Sequence, residues 1–287
     1  MDPLENLCVV KDFFTERVSR FAEIKKYSRK EELQVVSPRS RRNKMLLNEG
    51  KLEILKIPQV SKSISIEGFF KYHSSYVLAN IDTIYNFSNQ ENGYLIPQVI
   101  NEDYKYVILD SDIGFLEYLQ YRLPESVGFT NCDVGGKSKF PNNKINTNCD
   151  NGIVKYVNDI AVEGVDLVVS NTIDYIGNSE KALQICKKGG TFIGKVYEVD
   201  LQLLYILTLC FKNFSLFRPF LENENVVYVI CEGYTGNFLD IIPLFLEKHK
   251  IIVDKDFINY ISDFLSFKVE SNHTYNLYRC KSLMNVE

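Results

Sequence analysis

The stretch YVILDSDIGFLEYLQYRL, residues 106–123, decides the fold. Its first seven residues are a β-branched apolar run that ends in acids. The residues after Ile113 change to helical spacing. Working outward, the same alternation recurs. SVGFTN (126–131) and VDLVVSN (165–171) read as further strands, and a helix is expected over 179–187. Lys188-Gly189-Gly190 reads as a helix stop before a strand TFIGKVYE (191–198). A helix over 200–211 then leads to two last strands, around SLFRP (215–219) and VVYVICEG (226–233). Strands and helices in alternation, with apolar runs through the strands, predict an α/β fold with a mostly parallel, doubly wound sheet.

Other segments are read more coarsely. Residues 1–34 show helical periodicity, and 68–87 read as a helix. The polar stretch GGKSKFPNNKINTNCDN (135–151) reads as a loop, and 238–287 as a helical appendage. The expected organisation is an N-terminal helical and basic extension (1–67), a core (68–237) and a C-terminal appendage (238–287).

Composition removes several classes of function. The 287 residues are 45% hydrophobic, which excludes wholesale disorder. With 33 Lys+Arg against 37 Asp+Glu the net charge is −4, so bulk charge does not hold nucleic acid. Any such contact needs a local patch, and Arg39, Arg41, Arg42 and Lys44 are the concentration available. The seven cysteines form no C-x-x-C pair, and the three histidines have no metal-ligand spacing to them, so no metal site is expected. Reduced, mostly buried thiols fit an intracellular protein, cytoplasmic or nuclear. The first residues, with acids ahead of a short apolar patch, do not read as a signal peptide. The longest apolar stretch, 201–211, is too short to span a bilayer, so no membrane partner is expected.

In a doubly wound sheet the ligand lies at the carboxyl ends of the strands. Those ends carry Asp110-Ser111-Asp112-Ile113-Gly114-Phe115, Ser170-Asn171, and Gly194-Lys195 with Tyr197-Glu198. The aromatic stripe from Phe69 to Phe87 reads as core.

The order of these pieces resembles the FtsJ-like family of ribose 2′-O-methyltransferases, most nearly those acting on capped mRNA. SPRSRRNKMLLNE (37–49) is similar to the family's R-x-R-x-R-x-N-P-x-E, and FFKYHSSYVLANID (69–82) to its F-F-x-N-R-A-A-x-K-x-A-N-x-D. DSDIGFLEYL (110–119) resembles D-x-x-x-G-P-G-G-F-x-E-Y-L, and GGTFIGKVY (189–197) resembles G-G-x-F-x-x-K-x-F. Arg218-Pro219 followed by VVYVICEGY (226–234) resembles the ending K-P-x-x-S-R-x-x-S-S-E-x-Y-V-V-C-x-G-F.

The resemblance implies a Rossmann-like methyltransferase sheet and transfer of a methyl group from S-adenosylmethionine to a ribose 2′-hydroxyl. It also implies a Lys–Asp–Lys–Glu tetrad, which here falls on Val77, Asn171, Lys195 and Val226. Only Lys195 keeps its type; Glu224, two residues before Val226, reaches the last position only through a bulge. The implied cofactor residues are Asp110, Gly114, Phe115 and Asp150, with the glycine turn shortened to Ile113-Gly114-Phe115. The expectation is a degenerate relative, with no cofactor or with S-adenosylmethionine. Its implied partners are capped RNA and an active capping or transcription enzyme. The alternative is an active enzyme remodelled around Lys195.

Overall fold

The protein is described from a computed structural model over residues 70–85, 87–88, 103–110, 112–130, 140, 144–146, 152–173, 177–197, 199–217, 226–241, 253 and 255–266. Seven strands form one sheet in the order β3-β2-β1-β4-β5-β7-β6. They are β1 (Lys105–Ile108), β2 (Val127–Thr130), β3 (Ile145–Asn146), β4 (Val165–Ser170), β5 (Cys186–Val196), β6 (Phe211–Phe217) and β7 (Val227–Tyr234). The pairs β3–β2, β2–β1, β1–β4 and β4–β5 are parallel, whereas β7 runs antiparallel to both β5 and β6. This is the doubly wound, Rossmann-like α/β sheet expected from the sequence. Its strand order reverses between β1 and β4, which fixes where the site has to be sought.

Period-2 alternation sends each strand's residues to two apolar layers. On one face Val107, Val168, Phe192 and Val229 pack with α3 (Ile153–Ile160), α4 (Asn178–Ile185), α5 (Leu201–Cys210) and α6 (Lys255–Ser266). On the other, Tyr106, Ile108, Val169, Ile193 and Tyr228 pack with α1 (His73–Tyr85) and α2 (Ile113–Arg122). Phe70, Tyr76, Tyr85 and Phe87 are buried, so the aromatic stripe is core as expected. The 201–211 stretch forms the buried helix α5, apolar on nearly every side, with Phe211 already the first residue of β6. No helix of the described residues is long and apolar enough to cross a membrane.

The carboxylate of Asp200 starts α5 by accepting from the N–H groups of Gln202 (2.9 Å) and Leu203 (3.0 Å). Asp200→Ala is expected to cost about 1 kcal/mol, read as a lower urea midpoint at unchanged slope.

Three expectations need correction. The 135–151 stretch is not all loop: Ile145 and Asn146 pair with Gly128 and Phe129 as β3. A two-residue edge strand has too few alternations to register as a period. Lys188-Gly189-Gly190 is not a stop between helix and strand, because α4 ends at Ile185 and β5 already begins at Cys186. Gly189 (φ 85°) supplies a left-handed residue inside β5, beside the register shift against Val165 and Leu167. The helix expected over 68–87 begins only at His73, for a reason found on α2 and given below. The N-terminal extension lies outside the described residues.

Candidate functional site

The loop after β4 is built by one carboxylate. Asp110, just past β1, accepts on Oδ2 from the Ser170 hydroxyl (2.7 Å) and from the N–H groups of Asn171 and Thr172. Its Oδ1 accepts from Asn178 Nδ2 (2.7 Å) at the start of α4. Asp110 therefore ties β1, β4 and α4 together, and four donors surround it. Ile173 then turns back so that its N–H donates to the Lys195 carbonyl (2.9 Å). Ser170 is the register partner of Gly194, so Asn171 and Lys195 follow side by side at the sheet's carboxyl end.

Lys195 lies on the α1/α2 face, two residues after the core residue Ile193 in the alternation. It is 8% exposed, and its ammonium sits 5.0 Å from the centre of the Tyr197 ring. Across β7 it faces Tyr228. Val226, Tyr228 and Ile230 alternate onto this same face, and Val77 comes down onto it from α1. Val77 and Val226 are both fully buried within this layer. Val77, Lys195 and Val226, three of the positions that the resemblance puts in the tetrad, thus lie on one face with Lys195 the ionisable side chain among them, and Asn171 follows the end of β4.

The turn between β1 and α2 is filled by the chain itself. Asp112 caps α2 by accepting from the N–H groups of Gly114 (2.9 Å) and Phe115 (3.1 Å), and Ser74 donates its hydroxyl to the same oxygen (2.6 Å). A Cβ on Gly114 would fall onto Ser74 Oγ, 2.9 Å from Tyr72 Cβ and 3.0 Å from the Ser75 nitrogen. The glycine is needed here for the close approach of residues 72–75.

In return Glu117 of α2, fully buried, accepts from the N–H groups of Lys71 (3.0 Å) and Tyr72 (3.2 Å) and from the Ser75 hydroxyl (2.7 Å). A carboxylate from another helix thus takes the N–H groups just ahead of α1, which is why α1 starts at His73 and not earlier. Phe115 points away from the turn into the core, its ring 6.5 Å from Tyr228.

Deeper in the same layer, Asp82 of α1 accepts from the Ser88 N–H (3.0 Å) and hydroxyl (2.7 Å) and from the Tyr118 hydroxyl (2.6 Å). Arg122 Nε lies 3.6 Å away, and both side chains are fully buried. Burial and the neighbouring Asp82 carboxylate raise the Tyr118 phenol well above its ordinary value, so it stays a hydrogen-bond donor.

Arg39, Arg41, Arg42, Lys44, Asp150 and Glu224 lie outside the described residues. The sequence reading placed Asp112 and Tyr197 at strand ends without giving either a role, and it missed Glu117. The D-x-G-F spacing of an N-cap ahead of an apolar run marks Asp112. Nothing local marks Glu117, whose partners are more than forty residues away. No group of three or more His, Cys, Asp or Glu arranged for a metal occurs among the described residues. The thiols of Cys186, Cys210 and Cys231 are free and buried.

No family model matches the chain. Over 124 residues it is 27% identical to the zebrafish (Danio rerio) cap-specific mRNA (nucleoside-2′-O-)-methyltransferase 1, covering 37% of this chain and 15% of that one. That partial likeness supports a relationship to the FtsJ-like ribose 2′-O-methyltransferases. The chain spans less than a fifth of the length of that curated relative.

Among solved structures, one assigned as a ribosomal RNA methyltransferase from Plasmodium falciparum overlays with a TM-score of 0.40 at 16% identity. That match covers 58% of this chain and all of the other. Human methyltransferase-like protein 13, solved in complex with SAH, gives a TM-score of 0.37 at 16% identity over 67% of this chain and 98% of its own.

Proposed function

We propose that this chain is a non-catalytic relative of the cap ribose 2′-O-methyltransferases that binds RNA as a subunit of a capping or transcription assembly. The observation that carries the proposal is the full burial of Val77 and Val226. Both sit where the resemblance puts a charged tetrad member, on the face that carries Lys195. A lysine serves as a base only when neighbouring charge and desolvation set its proton affinity, and here two of the positions that the resemblance gives to charged groups are buried valines and a third is a neutral amide.

The turn at Gly114 supports the same reading. The residues present do not fit S-adenosylmethionine there. The first N–H groups of α2 already have the Asp112 carboxylate, and Ser74 and Tyr72 fill the space that a glycine-rich turn leaves for a ligand. RNA contact would come from a local patch, with Arg39, Arg41, Arg42 and Lys44 as the candidates.

Two measurements on the full chain test this. Titration calorimetry with S-adenosylmethionine is expected to give no heat of binding at micromolar concentrations. Tritiated methyl transfer to capped RNA is expected to stay at background beside a working control enzyme. Saturable cofactor binding, or transfer that Lys195→Ala abolishes, would instead establish the second reading: an enzyme remodelled around Lys195, which the near-complete burial of that lysine beside Asn171 favours.

A further inference from the structure

The helix α3 buries Ile153 and Val157 against the sheet and turns its other side outward. Lys155, Asn158, Asp159 and Val162 follow one another there at helical spacing, and all are exposed. Val162 is 89% exposed, and Ile160 at the end of the helix 47%. These are two of the four large apolar side chains left exposed among the described residues, and they lie side by side. Lys155 and Asp159 stand one turn apart, yet neither they nor the exposed Lys181 and Glu163 form an ion pair among the described residues.

The start of the same helix carries a hollow. An open cavity of about 610 Å³ is lined there by Gly152, Ile153 and Val154, and by Lys181 of α4. Gly152 is exposed, and a Cβ built on it would meet nothing within 4 Å. An apolar projection and a hollow thus lie at opposite ends of one helix, with a cation and an anion between them.

We propose that two copies of this chain associate through α3, antiparallel about a two-fold axis level with Val157. In that register Lys155 of each copy faces Asp159 of the other. The same register sets Ile160 against Val154 of the other copy and Val162 against Gly152, so the exposed aliphatic residues enter the cavity. Glu163 arrives with them beside Lys181. A two-fold interface has to be self-complementary, and one register meets that condition for shape and for charge. A surface ion pair contributes little, so affinity comes from the two apolar insertions while the charges fix the register. One eight-residue helix and its flanks make a small patch, so the dimer is a weak one. The helix lies on the opposite layer from Lys195, so the inference is independent of the RNA-binding reading.

Sedimentation velocity of the full-length chain, across the micromolar range at low and high salt, tests this. Wild type is expected to pass from monomer to dimer, with salt weakening the dimer. Lys155→Glu and Asp159→Lys each set like charges against one another twice, and each alone is expected to weaken the dimer by about tenfold. An equimolar mixture of the two variants brings opposite charges together at both contacts and is expected to recover it. Both exchanges in one chain should do the same. Val162→Asp is expected to weaken the dimer by more than Lys155→Glu does. Lys188→Glu, exposed on β5 and identical in its change of net charge, serves as the control and leaves it unchanged.

Far-ultraviolet dichroism checks that each variant is folded. A wild type that stays monomeric throughout overturns the proposal and leaves this face to a partner of another kind. A dimer that Lys155→Glu, Asp159→Lys and Val162→Asp leave intact overturns it too. So does a loss in the two charge variants that their mixture fails to restore.

Discussion

Asp82→Ala is expected to remove about 3–5 kcal/mol of stability, the largest loss for any single side chain discussed above. The carboxylate is fully buried and faces Arg122, which is fully buried as well. It also accepts from Ser88 twice and from Tyr118 once. Alanine leaves a guanidinium in an apolar layer without its carboxylate and leaves three donors to find other acceptors. Domains are stable by only about 5–15 kcal/mol, so the loss is a large share of the total. The urea midpoint should fall by about 1–2 M.

Asp82→Asn keeps an acceptor for Ser88 but removes the charge, and it should fall between wild type and alanine. A midpoint unchanged in Asp82→Ala would mean that Asp82 does not hold α1 to α2.

The second large effect runs against helix propensity. Gly114 sits in the first turn of α2, where alanine ordinarily gains up to about 1 kcal/mol over glycine. Here Gly114→Ala is expected to destabilise by about 1–3 kcal/mol, because its Cβ lands on Ser74 and presses on Tyr72 and on the Ser75 backbone.

Removing the nearest obstacle should recover part of the loss, so Ser74→Gly with Gly114→Ala is expected to be less unstable than the two single losses added. Recovery should be partial, since the contact with the Ser75 nitrogen at 3.0 Å is backbone and stays. An alanine at this position that stabilises the protein would show that residues 72–75 do not close the turn. The objection raised above to S-adenosylmethionine would then lose its footing.

The sheet was legible because strands buried on both faces are written as apolar runs, and 106–109, 167–169 and 226–231 are such runs. The helix over Ile113–Arg122 was legible by its period, even though every residue from Gly114 onward is buried. What could not be read is pairing at a distance. Nothing near Glu117 says that its partners are Lys71, Tyr72 and Ser75, and nothing near Asp110 says that it closes a loop sixty residues further on.

The four positions assigned to the tetrad came from the resemblance, by order along the chain. That Lys195 and Val226 share a face follows from alternation in β5 and into β7, which the sequence contains, whereas the approach of Val77 from α1 does not. The exposure of Tyr197 was not legible, because a Tyr two residues after a strand lysine reads equally well as core.

The exchange of caps between α1 and α2 links how the two helices open. Asp112 serves its own helix and Ser74 of the other, while Glu117 serves the residues ahead of α1. Neither helix can lose its first turn without stripping hydrogen-bond partners from its neighbour: α2 would withdraw acceptors, and α1 donors. In native-state hydrogen exchange the amides of the two helices should therefore report one common opening free energy, as a single cooperative unit and not as two fraying ends. Glu117→Gln should lower the protection of α2 amides as well as those of α1, although glutamine keeps the shape and lies on α2 alone.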